Sequence, residues 1–161
     1  MFKDIKKMIA INIAVIFFIS LDRFLKVFAF NNQSSEFNLF SEIFKFSYKN
    51  NYNIAFSLPL AGNFLIILIF FIIIALIIFG LYYVKKFQIG KATALFLIIL
   101  GASSNLYDRL QYGAVIDYLD LKYFTVFNLA DMMIVGGVIY LLLIIKNYQY
   151  ETIFTRKSIN K

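Results

Sequence analysis

Four long apolar stretches, separated by short polar links, restrict this chain to one class of fold. They cover residues 8–30, 64–84, 92–106 and 129–145. A helix needs about 20 mostly apolar residues to cross a bilayer, with a range of about 17–25. The third and fourth stretches reach this range when their polar ends lie at the membrane interface. The sequence therefore predicts an all-α integral membrane protein with four transmembrane helices in a single membrane domain, residues 1–161.

Composition agrees with a membrane protein and excludes several kinds of hydrolytic site. Hydrophobic residues make up 61% of the chain and charged residues 16%, whereas soluble domains carry roughly 45–50% and about 25%. The chain has no cysteine and no histidine. Thiol nucleophiles, thiolate metal sites and the histidine base of serine and cysteine hydrolases are therefore excluded. Any hydrolysis must use carboxylates, lysine, hydroxyl groups or the backbone.

The net charge of +7 is distributed as the positive-inside rule describes. Basic residues precede the first stretch, fill the link between the second and third, and follow the fourth: Lys3, Lys6, Lys7, Lys85, Lys86, Lys91, Lys146, Arg156, Lys157 and Lys161. We predict that both termini face the cytoplasm and that residues 31–61 and 107–128 face outward. No basic helix or basic-aromatic stripe stands apart from the apolar stretches, so no nucleic-acid partner is expected.

The first outer segment, residues 31–61, carries the pattern of a strand. Phe44, Phe46 and Tyr48 alternate with polar residues, which is the period of a half-exposed strand. Residues 50–53 offer turn chemistry, and residues 54–58 are predicted to return as a second strand. We therefore predict a small extracytoplasmic β element between helices 1 and 2.

Polar residues gather at one level of the predicted bundle. Each ionisable group inside a membrane segment costs about 2.5–3.5 kcal/mol on insertion scales. Under the predicted orientation, the following residues all lie near the outer face: Asp22, Arg23, Lys26, Asn105, Asp108, Arg109, Asp117, Asn128 and Asp131. The inner halves of the helices carry almost none. This distribution predicts a polar site at the outer rim of the bundle.

Each of these groups also has a purely structural interpretation. Asp22 and Lys26 have the i,i+4 spacing of a helix ion pair that could snorkel to the interface. Asn128 and Asp131 fit a capping box at the start of the fourth helix, where a carboxylate also suits the helix dipole. Asp120 is interpreted as a solvated loop residue outside the site.

Paired carboxylates can hydrolyse an amide without histidine, cysteine or metal. Two carboxyl groups held close together do not both ionise easily, so one stays protonated near neutral pH. The ionised partner can accept a proton from water while the neutral one hydrogen-bonds the carbonyl oxygen. Catalysis by Lys26 with Ser103 or Ser104 stays open as a less favoured alternative.

Five motifs resemble, in order and spacing, those of the lipoprotein signal peptidases, also called signal peptidase II. Residues 22–26 resemble the family's D-x-x-x-K, and residues 51–56 resemble its N-x-G-x-A-F. Residues 101–109 are similar to G-x-x-x-N-x-x-D-R. Residues 115–118 resemble V-x-D-F, and residues 127–131 resemble F-N-x-A-D. The resemblance extends from the first helix to the end of the fourth.

The resemblance implies an aspartyl endopeptidase with Asp117 and Asp131 as its catalytic pair. It implies that the supporting and substrate-binding residues are Asp22, Lys26, Asn51, Gly101, Asn105, Asp108, Arg109, Asn128 and Ala130. The implied substrate is a prolipoprotein whose cysteine carries diacylglycerol, cleaved just before that cysteine at the outer side of the bacterial inner membrane. Membrane lipid is the other expected partner. No metal or cofactor is implied, and a monomer is expected.

The sequence departs from the family pattern at three points, and two other functions are open. Asn53 occupies the usual Gly position, although Asn also tolerates positive φ. Tyr118 replaces the usual Phe, and the 14-residue separation of Asp117 and Asp131 is shorter than expected. The rivals are a small proton-coupled transporter, which would use the acids as a proton relay, and a non-catalytic membrane assembly factor. Clustering of the acids at one face argues against the transporter.

Overall fold

The computed structural model describes residues 2–52 and 62–159, in which four helices carry a four-stranded sheet. The helices are α1 (Phe2–Asn31), α2 (Asn63–Lys85), α3 (Ile89–Tyr112) and α4 (Leu129–Ile159). The strands are β1 (Phe37–Phe40), β2 (Phe44–Asn51), β3 (Val115–Leu121) and β4 (Val126–Phe127). Two separate links, between α1 and α2 and between α3 and α4, therefore supply the sheet.

Three of the described helices are long and apolar enough to cross a membrane. They are Asn63–Lys85, Ile89–Tyr112 and Leu129–Tyr148. α2 is apolar on nearly every side, yet only its residues Leu65 and Ile73 are buried. A helix that is hydrophobic all round and has few protein contacts takes lipid as its solvent. The chain is therefore a membrane protein, and α2 in particular is largely exposed to lipid.

Glycines allow α3 and α4 to approach each other closely. A Cβ atom on Gly101 would lie 2.5 Å from the carbonyl oxygen of Ala130, and one on Gly137 would lie 2.8 Å from the carbonyl oxygen of Ala94. Small residues at helix contacts let backbones pack against each other in membranes. This close approach fixes the first turn of α4 against α3.

Gly137→Ala is expected to destabilise the protein, whereas Gly136→Ala is expected to be neutral or slightly stabilising. The added methyl at 137 would meet the Ala94 oxygen and, at 2.7 Å, Cγ1 of Ile98, which costs about 1–3 kcal/mol. A methyl at 136 meets nothing within 4 Å, and Ala favours a helix. Thermal unfolding of both variants in one detergent measures the difference. Equal melting temperatures would contradict the proposed role of this contact.

The sheet is antiparallel, with the strand order β1-β2-β3-β4. Phe46 of β2 pairs with Leu119 of β3, and a register shift follows before Lys49 pairs with Asp117. Phe46 packs with Ala29 of α1 and with Tyr118 in one buried cluster. The sheet therefore rests on the end of α1 that follows the polar residues of that helix.

The structure corrects three predictions for the outer segments. The β element was predicted between helices 1 and 2 alone, but β3 and β4 come from residues 107–128. Asn50 and Asn51 continue β2 instead of turning, because they pair with Ile116 and Val115. Asp120 lies in β3 opposite Lys45 and not in a solvated loop. The predicted strand at residues 54–58, and Asn53 before it, lie outside the described residues.

β3 escaped prediction because it is buried on both faces. Its first four residues, 115–118, are all buried, so they do not alternate between apolar and polar types. A strand without that alternation gives no period-2 signal.

The observed third helix runs past both ends of its apolar stretch, from Ile89 to Tyr112 instead of over 92–106. Asn105 and Asp108 lie in this extension or at its edge, and both are buried against protein. Hydropathy marks only the lipid-facing part of a helix, so buried polar turns are missed. The helix is followed by Gly113, whose φ of 74° is left-handed. This conformation favours glycine after a helix.

Candidate active site

Asp117 lies in β3 with a buried side chain, of which both carboxyl oxygens accept hydrogen bonds. Only 2% of its surface is exposed. Asn51 Nδ2 donates to Oδ2 at 2.9 Å, and Asn128 Nδ2 donates to Oδ1 at 2.6 Å. Asn51 comes from the neighbouring strand, and Asn128 comes from the residue before α4. Two donors from different elements therefore fix the orientation of this carboxyl group.

Asp131 lies in the first turn of α4, where it completes the predicted capping box. Its backbone N–H donates to Asn128 Oδ1 at 2.8 Å, and the Asn128 N–H donates back to Asp131 Oδ2 at 3.2 Å. Asn105 Nδ2 of α3 donates to the other oxygen at 2.8 Å. The capping interpretation is confirmed, but it accounts for only one oxygen of Asp131. The other oxygen is held from α3.

Asn128 connects the two acids. Its side-chain amide donates to Asp117, its backbone N–H donates to Asp131, and it has no exposed surface. Its Nδ2 also lies 3.2 Å from Oδ1 of Asn105. The two carboxyl groups are thus bound to one residue. Asn105 of α3 binds both Asn128 and Asp131.

The electrostatic surroundings favour a proton on Asp117. Burial and the neighbouring charge of Asp131 raise the pKa of Asp117 from 3.8 to about 7. Hydrogen bonds from Asn51 and Asn128 and the charge of Lys26 oppose this rise. Near neutral pH the Asp117 carboxyl is therefore partly protonated, and it loses this proton as the pH rises above about 7. A carboxyl that holds a proton at this pH can donate a hydrogen bond as well as accept one.

A buried ion cluster lies behind the two acids. Lys26 Nζ lies 2.7 Å from Asp108 Oδ2 and 3.3 Å from Asp22 Oδ2, and none of these three side chains is exposed. Lys26 also donates to Asn105 Oδ1 at 2.7 Å. Arg23 pairs with the second oxygen of Asp108 at 2.6 Å. The structural interpretation of Asp22 and Lys26 is therefore confirmed for the i,i+4 ion pair but wrong for snorkelling, because both side chains are buried against protein, where Lys26 holds α1 to α3.

The same cluster argues against serine–lysine catalysis. Ser104 Oγ donates to Asp22 Oδ2 at 2.6 Å and accepts from Lys26 at 3.3 Å. Lys26 Nζ lies between the carboxylates of Asp22 and Asp108, so it is engaged in ion pairs and is not available to Ser104 as a base. Ser104 is instead a member of the network that holds Asp22.

The remaining sequence-predicted residues lie around this core. Ala130 has no exposed surface, and its N–H donates to Asp22 Oδ1 at 3.2 Å. Gly101 gives α3 the room to pass the Ala130 carbonyl. Arg109 is in the last turn of α3 and donates to the Asn105 carbonyl at 3.4 Å. The structure thus brings every residue implied by the resemblance to one side of the bundle.

Three contributors were not among the site residues that the resemblance implied: Arg23, Ser104 and Tyr118. Each binds a buried carboxylate that lies on another element of the fold: Arg23 binds Asp108, and Ser104 and Tyr118 bind Asp22. The sequence placed Arg23 in the outer polar layer without a role, named Ser104 only in the serine–lysine alternative, and marked Tyr118 only by its added hydroxyl.

Comparisons with known proteins point to one family. The family described as "Signal peptidase (SPase) II" matches residues 13–147. A lipoprotein signal peptidase of Clostridioides difficile is 36% identical over 135 residues, covering 79% of this chain and 88% of the relative. One from Halothermothrix orenii is 34% identical over 134 residues, covering 81% and 91%.

Solved structures show the same fold. A bacterial membrane enzyme aligns with a TM-score of 0.73 and 24% identity, covering 89% of each chain. A second bacterial membrane enzyme aligns with a TM-score of 0.69 and the same identity, covering 88% of this chain and 93% of its own.

Proposed function

This chain belongs to the signal peptidase II family and removes signal peptides from prolipoproteins, and we propose that Asp117 and Asp131 carry out the hydrolysis as a proton-sharing pair. The observation that carries this proposal is the double contact of Asn128, which binds Asp117 through its amide and Asp131 through its backbone N–H. Two carboxyl groups bound to one residue are close enough to perturb each other's ionisation.

The two acids are suited to different parts in the reaction. Asp131 accepts two N–H bonds at a helix N-terminus, where the helix dipole favours a negative charge. Asp117 holds a proton near neutral pH, as its raised pKa of about 7 indicates. Asp131 therefore takes a proton from the attacking water while Asp117 donates a hydrogen bond to the peptide carbonyl. The amine released on collapse of the tetrahedral intermediate takes its proton from the pair.

The surrounding residues position this pair and do not react. Asn128 and Asn105 fix the carboxyl orientations, and Asn51 holds Asp117 from β2. Lys26 with Asp108 anchors α1 beneath them. Preorganised donors of this kind need no rearrangement when charge develops in the transition state.

We further propose that α1 is a fourth membrane span. Large apolar side chains of α1 point away from protein: Ile13, Ile16, Phe17 and Phe24 are each more than half exposed. Its polar residues Asp22 and Lys26 are turned inward, where they pair. Apolar residues outside and paired charges inside are the pattern of a helix surrounded by lipid on one side.

The charge distribution supports the proposed orientation in the inner membrane. Lys85, Lys86 and Lys91 lie at the junction of α2 and α3, and the lysines at 86 and 91 stack over Tyr82 and Tyr83. Lysines beside tyrosines are typical of the cytoplasmic interface. The acid pair and the sheet would then face outward, where a substrate anchored by diacylglycerol enters sideways from the bilayer.

Cleavage of two matched precursors tests the substrate proposal. A precursor whose cysteine carries diacylglycerol is expected to be cleaved at least about a hundredfold faster than the same unmodified precursor, because its acyl chains hold the scissile bond at the depth of the site. Initial rates are measured by gel shift in one detergent. Equal rates for both precursors would show that recognition does not involve the lipid.

A further inference from the structure

Tyr118 has a buried hydroxyl that the peptide hydrolysis itself does not use. It follows Asp117 in β3 and has no exposed surface. Its ring packs against Phe46 of β2, with ring centroids 5.4 Å apart, in a cluster that includes Ala29 of α1. The ring alone fills this space, so the hydroxyl requires a separate explanation.

The hydroxyl makes two hydrogen bonds that join three elements. It donates to Asp22 Oδ1 of α1 at 3.0 Å and accepts from the backbone N–H of Leu129 at 3.1 Å. Leu129 begins α4, and the first N–H groups of a helix have no acceptor within it. Burial and the charge of Asp22 raise the pKa of Tyr118 above its ordinary value of 10, so the hydroxyl keeps its proton.

These bonds act on the backbone at both acids. Tyr118 is adjacent to Asp117, and Leu129 is two residues before Asp131. Asp22 Oδ1, which accepts from Tyr118, also accepts from the Ala130 N–H at 3.2 Å. The first two N–H groups of α4 are thus tied to β3 and α1 through one phenol and one carboxylate.

We infer that the Tyr118 hydroxyl is a positioning group that sets the separation of Asp117 and Asp131 by fastening β3 to the first turn of α4. Asn128 binds Asp117 of β3 and Asp131 of α4. Tyr118, the next residue of β3, binds the first residue of α4 through its hydroxyl. This inference rests on the proposed catalytic role of the acid pair. It also gives a function to the hydroxyl that the family's usual Phe lacks.

Tyr118→Phe tests the inference because it removes only one oxygen atom. The ring keeps its packing, and Phe is the residue usual at this point of the motif, so the variant is expected to fold. The kcat for a diacylglyceryl-modified precursor is expected to fall about three- to tenfold with KM unchanged, the scale of one lost hydrogen bond. Asp22 retains Lys26, Ser104 and the Ala130 N–H, which limits the loss.

The pH dependence of kcat separates positioning from simple stability. If the carboxyl groups of Asp117 and Asp131 move apart, they repel each other less, so the raised pKa of Asp117 should fall. The alkaline limb of the kcat profile should then move to lower pH. Tyr48→Phe is the matched control: it removes a hydroxyl from the same sheet, one that donates to Asn50 at 2.7 Å. The control is expected to leave kcat and its pH profile unchanged.

Parallel assays of Asp117→Asn separate the two claims. If Asp117→Asn is inactive while Tyr118→Phe keeps the full kcat and the wild-type pH profile, the positioning role is overturned and the acid pair stands. A rise in KM at constant kcat would also overturn it. If Asp117→Asn retains activity, the proposed catalytic pair fails, and the positioning role fails with it.

Discussion

Replacing Lys26 with methionine is expected to lower the free energy of unfolding by about 3–5 kcal/mol, the usual result of removing one partner from a buried charge pair. Lys26 is completely buried and lies 2.7 Å from Asp108 and 3.3 Å from Asp22. Methionine matches the length of the side chain but supplies no charge and no donor. Asp108 would keep its contact with Arg23, whereas Asp22 would lose the ammonium group that lies against it. Unfolding in mixed micelles of a mild detergent and dodecyl sulfate measures the change.

Lys45→Met is the matched control for this substitution. Lys45 also lies near two carboxylates, Glu36 at 3.7 Å and Glu42 at 3.8 Å, but those partners are 62% and 68% exposed. Exposed pairs contribute about 0–1 kcal/mol, so this variant should unfold nearly as the wild type does. Equal losses for Lys26→Met and Lys45→Met would contradict the view that the buried cluster holds α1 in place.

The membrane-spanning part of the fold is the part that sequence specifies most clearly. Lipid exposure demands continuous apolar surface, so α2 could be located from hydropathy alone. The outer sheet could not, because β3 is buried on both faces and pairs with a strand more than sixty residues earlier in the chain. Such strand pairing depends on how the packed helices bring distant connecting segments together, and no local sequence pattern predicts that.

The candidate site was also predictable only in part from the sequence. The spacing from Asn128 to Asp131 predicts a capping box, and both hydrogen bonds are present. Spacing did not reveal that Asn128 also binds Asp117, or that Asn105 reaches Asp131 from α3. Those contacts join residues on separate elements; the family resemblance, not periodicity, indicated that these residues belong to one site.

Asp117→Asn and Asp131→Asn are each expected to reduce cleavage by about a thousandfold or more while the protein stays folded. Either amide removes one proton-transfer group from a pair that acts as a unit, and losses of this size are usual when such a group is removed. An asparagine oxygen can still accept the bond from Asn51 or from the Asn128 N–H, so the fold loses little. Thermal unfolding in detergent checks that each variant is folded.

Asp120→Asn is the control for these two variants. Asp120 lies three residues after Asp117 in the same strand, is half-buried and accepts only a 3.3 Å bond from Ser47 among the described contacts. The same change of carboxylate to amide at this position should leave the cleavage rate within about twofold of the wild type, since an amide oxygen can still accept this one long hydrogen bond.

Gel-shift cleavage of one diacylglyceryl-modified precursor by the wild type and these three variants tests the central claim most directly. The proposed mechanism requires both Asp117 and Asp131, so the two pair variants should show no product when the wild type and Asp120→Asn have converted all of the precursor. Substantial cleavage by either folded pair variant would contradict catalysis by these two acids.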